Sequence, residues 1–125
     1  MLNLYQEILM DHYRAPHNQG VLEGYDFCAE QRNSSCGDEV MMTGVIAENR
    51  LIAIGWVGKG CVISQSTASM LSEQVKNKSL ESILALDKDD LTGMLGMQLG
   101  PVRLLCGLLP LMALQKGIRE YQAAE

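Results

Sequence analysis

Three cysteines and one aspartate are the residues of this chain best suited to chemistry. Cys36, Cys61 and Cys106 each fall at a boundary between predicted elements: before a hairpin, at a helix N-terminus, and between Pro101 and the last helix. Cys36 is followed by Gly37 and Asp38, so a flexible turn offers a thiol and a carboxylate able to converge on one cation. Three thiolates and a carboxylate complete a tetrahedral donor set for zinc, or thiolate-rich anchors for iron-sulfur chemistry. Their separations are not those of a zinc finger, and spacing alone does not bring them together. Cys61 follows Gly58-Lys59-Gly60 and opens a helix, where the dipole and unsatisfied N–H groups favour a thiolate.

The remaining reactive types read more plainly. Cys28 lies in an ambiguous segment and is expected to be a space-filling thiol. His12 and His17 are the only imidazoles; His12 is expected to stabilise the end of the first helix or to hydrogen-bond locally, and neither is expected to ligate. Lys59 and Arg103 stand near Cys61 and Cys106 in sequence and are either counter-charges to an anionic site or ordinary solvated cations. Ser64, Ser66, Ser69 and Ser72 have no histidine in local spacing and read as small polar helix residues. The eight methionines read as adaptable core. Neither a G-x-S-x-G elbow, a P-loop nor a dinucleotide glycine fingerprint occurs.

The elements that must position these residues follow from periodicity. Asn3 caps a helix with Leu4 and Ile8, then Tyr5 and Leu9, at spacings of four, and Pro16 stops it shortly after Tyr13. Val40 to Ala47 and Leu51 to Val57 are aliphatic runs around Glu48-Asn49-Arg50, an antiparallel hairpin in which Ile52, Ile54 and Trp56 share a face. A third strand is expected between Tyr25 and Gln31. From Cys61 a helical stripe runs through Ser64, Ala68, Leu71 and Val75, with unusually small residues near its start. Ser79 caps a short helix through Leu84, and Asp87 to Met94 forms another turn or two. Pro101 suits a helix start, and Leu108 to Tyr121 reads as a final amphipathic helix with Pro110 in its first turn. This order is α+β: a small antiparallel sheet of about three strands with helices packed mainly on one face, in a single domain over residues 1–125.

Composition bounds the function. The 125 residues are 47% hydrophobic and 20% charged, enough to bury a core and too apolar for a disordered chain. A net charge of -5 repels a phosphate backbone, so no nucleic-acid partner is expected. The longest uncharged stretches, Leu91 to Val102 and Leu104 to Gln115, are interrupted by glycine or proline and fall short of the roughly 20 residues of a membrane span, so no membrane partner is expected. Glu7 and Asp11 among the first apolar residues are unlike a secretory signal. The expected compartment is the cytoplasm, where disulfides rarely persist and the four cysteines act as thiols or ligands.

Four separated segments then coincide in order and content with one family. Asp11-His12-Tyr13-Arg14-Ala15-Pro16-His17-Asn18, Ser35-Cys36-Gly37-Asp38, Gly60-Cys61-Val62-Ile63-Ser64 with Ser66, Ala68, Ser69 and Met70, and Pro101-Val102-Arg103 leading to Cys106 resemble the NifU/IscU/SufU iron-sulfur scaffold family over about residues 4 to 121. The resemblance implies a small α+β domain that takes sulfur from a cysteine desulfurase. By motif position its metal ligands are Cys36, Asp38, Cys61 and Cys106; Cys28 matches no motif. Two features depart from the IscU branch: Leu105 replaces the histidine before the third cysteine, and Leu99-Gly100-Pro101-Val102-Arg103 replaces the Leu-Pro-Pro-Val-Lys that an Hsp70-type chaperone reads. The Cys61 helix and Arg103 look more like the zinc-binding SufU branch, yet the short spacing from Cys61 to Cys106 is that of the IscU type.

The leading expectation is a scaffold, not an enzyme, in which Cys36, Cys61 and Cys106 hold a transient iron-sulfur cluster of the 2Fe-2S kind and pass it to apo-proteins. Asp38, a hard carboxylate ligand, keeps that cluster labile. The alternative is a zinc-dependent sulfurtransferase relaying persulfide from the desulfurase, with Cys36 as the mobile thiol and Cys106 second. A structural zinc module is the third reading. A monomer or weak homo-oligomer is expected.

Overall fold

Asn3 starts the first helix by a reciprocal cap: its side chain accepts from the Gln6 N–H at 2.9 Å, and the Gln6 side chain accepts from the Asn3 N–H at 3.1 Å. Helix α1 spans Leu4–Arg14 and ends at Ala15, one residue before Pro16, as the proline requires. The computed structural model describes residues 3–35 and 37–125. Leu9 and His12 are the buried residues of α1, while Leu4 and Tyr5 of the expected apolar stripe are exposed.

Three antiparallel strands follow in the order β1-β2-β3: β1 Phe27–Asn33, β2 Asp38–Ala47 and β3 Arg50–Lys59. Strands β2 and β3 extend beyond the apolar runs that predict them, and β1 lies two residues later than the expected 25–31, because ladder pairing continues through polar residues at the strand ends. The β2–β3 turn is tighter than the expected three-residue loop. Glu48 and Asn49 both take positive φ, at 52° and 62°, the two-residue geometry whose twist matches the flanking strands.

Ala29, Met42 and Trp56 are aligned across the sheet, as are Phe27, Gly44 and Ile54, and these side chains belong to the inner face. Ile52 departs from the expected face. A register shift between Val45 and Ile46 pairs Ile46 with Leu51, so Leu51 is fully buried and Ile52 is 42% exposed. An irregularity of this kind inverts the alternation that a regular strand keeps.

Helices α2 Val62–Val75, α3 Leu80–Leu84 and α4 Lys88–Leu95 match the expected segments, the last capped by Asp87, which accepts from the Asp89 and Asp90 N–H groups. Helix α5 does not. Pro101–Ala124 is one continuous helix, with Pro101 in its first turn and Pro110 inside. Pro110 removes one rung of the ladder, and the packing of α5 on β1, β2 and α2 holds the helix through that gap. At 24 residues α5 has the length and hydropathy of a membrane span, but 56% of its most apolar window is buried within the fold. Starting the final helix at Leu108, with Pro110 in its first turn, hides that length.

Helices α2 and α5 lie together on the inner face, α5 over β1 and β2 and α2 over β3. Leu114 and Ile118 of α5 and Ala68 and Val75 of α2 are almost fully buried with Met42 and Trp56, and burying a large aliphatic side chain stabilises by roughly 1.5–3 kcal/mol. Close approach of α5 depends on Gly117, where a Cβ would lie 2.3 Å from the Phe27 ring. On the outer face the segment before β1 covers β3: Gly20 donates to the Trp56 carbonyl, and the Leu22 N–H donates to Thr43 Oγ1. Cys28 also belongs to this outer face, opposite Thr43, and is exposed. The expectation of a space-filling thiol is therefore corrected: strand alternation buries Phe27 and Ala29 and leaves the residue between them outside.

Candidate functional site

The inner face of β2 ends in a carboxylate. Asp38 is in phase with Val40 and Met42, so its side chain is buried at 3% exposure, yet it lies at the sheet end where the core gives way to the start of α2. Cys61 is the N-cap of α2 and makes no side-chain cap of its own. Asp38 supplies the missing acceptor: its Oδ1 accepts from the Cys61 N–H at 3.2 Å, and its Oδ2 accepts from the Cys61 thiol at 3.3 Å. An anion at this point also meets the positive end of the α2 dipole. Gly60 makes the contact possible. With φ of 146° and a Cβ that would lie 2.3 Å from Asp38 Oδ1, this position tolerates only glycine without displacing the carboxylate.

Cys106 arrives from the second turn of α5, buried at 4% exposure. One ligand atom each from Asp38, Cys61 and Cys106 lie within 4.8 Å of one another. Around a tetrahedral zinc with bonds of about 2.0–2.3 Å, donors stand roughly 3.3–3.8 Å apart, so a small contraction suffices to close this set on a metal. Three of the four expected ligands are thus brought together by a strand end, a helix cap and a second helix. The fourth, Cys36, lies outside the described residues.

Burial works to raise the Asp38 pKa, but hydrogen bonds from the Cys61 and Cys106 thiols, the Cys61 N–H and Ser64 outweigh it and hold the carboxyl below its ordinary value. The carboxyl is therefore favoured in its ionised form by the donors around it. Thiols bind metal as thiolates, so metal binding at such a site releases protons and is pH-dependent. Ser64 is a residue the sequence reading left among small helix polars. Its hydroxyl donates to the Cys61 carbonyl at 3.2 Å and lies 3.9 Å from the Cys61 thiol, and its three-residue spacing from Cys61 was the available signal.

The site opens onto a groove of about 580 Å³ lined by Leu9, Met10, Met97, Val102 and Arg103 together with Cys61 and Cys106. Cys61 is exposed at its edge. Arg103 lines this groove together with Cys61 and Cys106, whereas Lys59 is exposed and not among the groove residues. Leu105 is 56% exposed and offers no donor atom.

His12 and His17 join a different cluster. His12 Nδ1 hydrogen-bonds the Ser69 hydroxyl of α2 at 2.6 Å, and the same hydroxyl accepts from the His17 N–H at 2.8 Å. His17 Nδ1 contacts the Glu73 carboxylate. The expected local role of His12 is therefore corrected to a long-range one: the α1 face that carries it packs against α2. Burial lowers the His12 pKa, with His17 adding to the effect and Asp11 opposing it.

The model of the NifU-like N-terminal domain matches residues 4–125, which includes every residue of the thiol and carboxylate set. The chain belongs to this family. The NifU-like domain is also 30% identical to the zinc-dependent sulfurtransferase SufU of Bacillus subtilis, over 95% of this chain and 92% of that protein. It is 34% identical to the iron-sulfur cluster assembly scaffold protein IscU of Aquifex aeolicus, over 94% of this chain and 75% of that protein. The crystal structure of the N-terminal part of a NifU-like protein from Brucella abortus superposes with a TM-score of 0.80, covering 98% of this chain and 96% of that one; at 18% identity this likeness concerns the fold. The NifU-like architecture, an antiparallel three-stranded sheet under helices, is the one expected from the sequence.

Proposed function

We propose that this NifU-like domain is an iron-sulfur cluster assembly scaffold: it takes sulfur from a cysteine desulfurase, combines it with iron, and passes the nascent cluster, 2Fe-2S in kind, to apo-proteins. The observation that carries the reading is the convergence of Asp38, Cys61 and Cys106 beside an open groove. With Cys36, two residues before Asp38 in sequence, these are the proposed ligands. Thiolates bind iron strongly, while the hard Asp38 carboxylate holds it weakly and keeps the cargo exchangeable.

Sulfur enters by exchange. A scaffold thiolate attacks the outer sulfur of the desulfurase persulfide, a new S–S bond forms on the scaffold, and the desulfurase cysteine leaves as thiolate. Cys36 is the proposed first acceptor; Cys106 comes second because its burial hinders attack. Conversion of the bound persulfide to sulfide takes two electrons from an external thiol or an electron-transfer protein.

Anaerobic incubation with a cysteine desulfurase, cysteine, dithiol reductant and ferrous iron tests the reading. Visible charge-transfer absorbance is expected on the re-isolated chain and is expected to vanish in Cys36→Ala, Cys61→Ala and Cys106→Ala. Asp38→Ala should retain the cluster and release it to an apo-acceptor more slowly; transfer at the wild-type rate would remove Asp38 from that role.

A second reading rests on the SufU relative matched over nearly its whole length. In it, zinc occupies the same four residues as a structural and positioning centre, and Cys36 leaves the metal to accept sulfur. Faster alanine release by the desulfurase with no cluster retained, abolished by zinc removal, would establish this relay in place of the scaffold.

A further inference from the structure

We propose that His12, His17 and Glu73 form a second cation site, selective for a divalent d-block ion of the zinc or ferrous class and separate from the thiol site. One ring nitrogen of each histidine and one Glu73 oxygen lie within 4.8 Å of one another. The two rings stand 4.6 Å apart between centroids and are tilted by 43°, so they are not stacked and their nitrogens can converge. Two imidazoles and one carboxylate form a borderline donor set that suits zinc or ferrous iron and disfavours magnesium or calcium, which take oxygen ligands.

The surroundings of His12 strengthen the assignment. Its Nδ1 is held by the Ser69 hydroxyl at 2.6 Å, and that hydroxyl is fixed in turn by the His17 N–H at 2.8 Å. When Ser69 accepts the Nδ1 proton, the Nε2 lone pair is left for a cation, the outer-shell arrangement that orients a ligating imidazole. Ser72 supports the same segment: it donates to the Ser69 carbonyl at 2.6 Å and accepts from the Asn18 side-chain amide at 3.0 Å. One ligand is thus buried and oriented, while His17 and Glu73 keep 50% and 43% side-chain exposure and are open to a hydrated ion. Three protein ligands leave coordination positions for water, so the bound ion is exchangeable.

The site is independent of the proposed scaffold function. Cys61 and Glu73 sit at opposite ends of α2, about 18 Å apart at 1.5 Å rise per residue, too far to share an ion. A cation bound here has no thiolate ligand.

Cobalt titration of the reduced full chain under anaerobic conditions separates the two sites. The thiol site is expected to give thiolate-to-cobalt charge-transfer absorption, and a further equivalent should bind with weak ligand-field absorption only, shifting the His12 and His17 ring resonances. His17→Asn and Glu73→Gln, both at exposed positions, should weaken that further equivalent at least about 10-fold while leaving the charge-transfer equivalent and the melting temperature intact. Zinc should displace the thiol-free cobalt readily, and ferrous iron, which binds such donors more weakly than cobalt, only in excess. Cys61→Ala should show the converse loss. Absence of a thiol-free equivalent in the wild type, or its undiminished retention in both exposed-residue variants, would reduce the cluster to a hydrogen-bonded ion pair and overturn the proposal.

Discussion

The two ends of α2 solve the placement of polar side chains in opposite ways. At the N-terminus, Asp38, Cys61 and Cys106 come from three elements and meet at an exposed edge, with a carboxylate capping the helix and thiols donating to it. Toward the C-terminus, Ser69 and Ser72 bind His12, Asn18 and the His17 main chain into a mostly closed hydrogen-bonded seam. The first arrangement leaves donor atoms that a metal can take over by displacing protons. The second spends most of its hydrogen bonds on docking α1 and the following loop. One helix therefore carries a reactive end and an anchoring end, and its small buried residues, Ser64, Ala68 and Ser72, allow both neighbours to approach.

Both ends hang on the same core, and the most severe challenge removes that support. Leu114→Ala, at a fully buried position, should lower unfolding stability by about 2–5 kcal/mol in denaturant titration, with metal stoichiometry unchanged under native conditions. Next in size, Cys61→Ala should weaken zinc at the thiol site by about 100-fold or more in chelator competition, beyond the 10–100-fold typical of outer-shell changes. A comparable loss from Glu73→Gln at that same thiol site would mean the two ends are coupled. Gly60→Ala sharpens the account of the reactive end: strain at φ 146° and the clash with Asp38 should destabilise by roughly 1–3 kcal/mol and weaken zinc, although no ligand atom is removed.

The smallest effect separates the ends by pH. His12 has a folded pKa below 6.5, so its contribution to stability is complete above that value and is lost as pH falls through the lowered folded value, where the unfolded chain binds the proton first. Asp38, with a folded pKa below 3.8, follows the same sign in a more acidic window: its contribution is present above 3.8 and lost as pH falls through its folded value. Thermal melts of chelator-treated protein should lose the upper window in His12→Gln and the lower one in Asp38→Asn. Equal pH profiles for wild type and His12→Gln would show that the anchoring seam does not depend on a neutral imidazole.

The order of elements was legible wherever local chemistry is decisive. The Asn3 cap, Pro16, the Ser79 cap and the aliphatic hairpin all act within a few residues, and each marks the element it predicts. Asp38, Cys61 and Cys106 were also identifiable as donor types at element boundaries. Three features were not legible. Pro110 fitted the first turn of a helix starting at Leu108, whereas packing on the sheet makes one helix from Pro101; the β2–β3 irregularity exchanged Leu51 for Ile52 in the core, and strand alternation turned Cys28 outward.

What the sequence by itself determined is local: caps, turns, apolar periods and the kinds of donor the chain carries. Only the tertiary structure decided which donors meet. The phase of β2 puts Asp38 on the helix side of the sheet, Gly60 lets its carboxylate reach the start of α2, and α5 brings Cys106 across from the far end of the chain. The same packing joined His12 and His17 to Glu73, a pairing that no local spacing announces. Periodicity constrains a side chain's face within one element, whereas the separation of two side chains on different elements depends on how the buried faces pack, which is a property of the whole core.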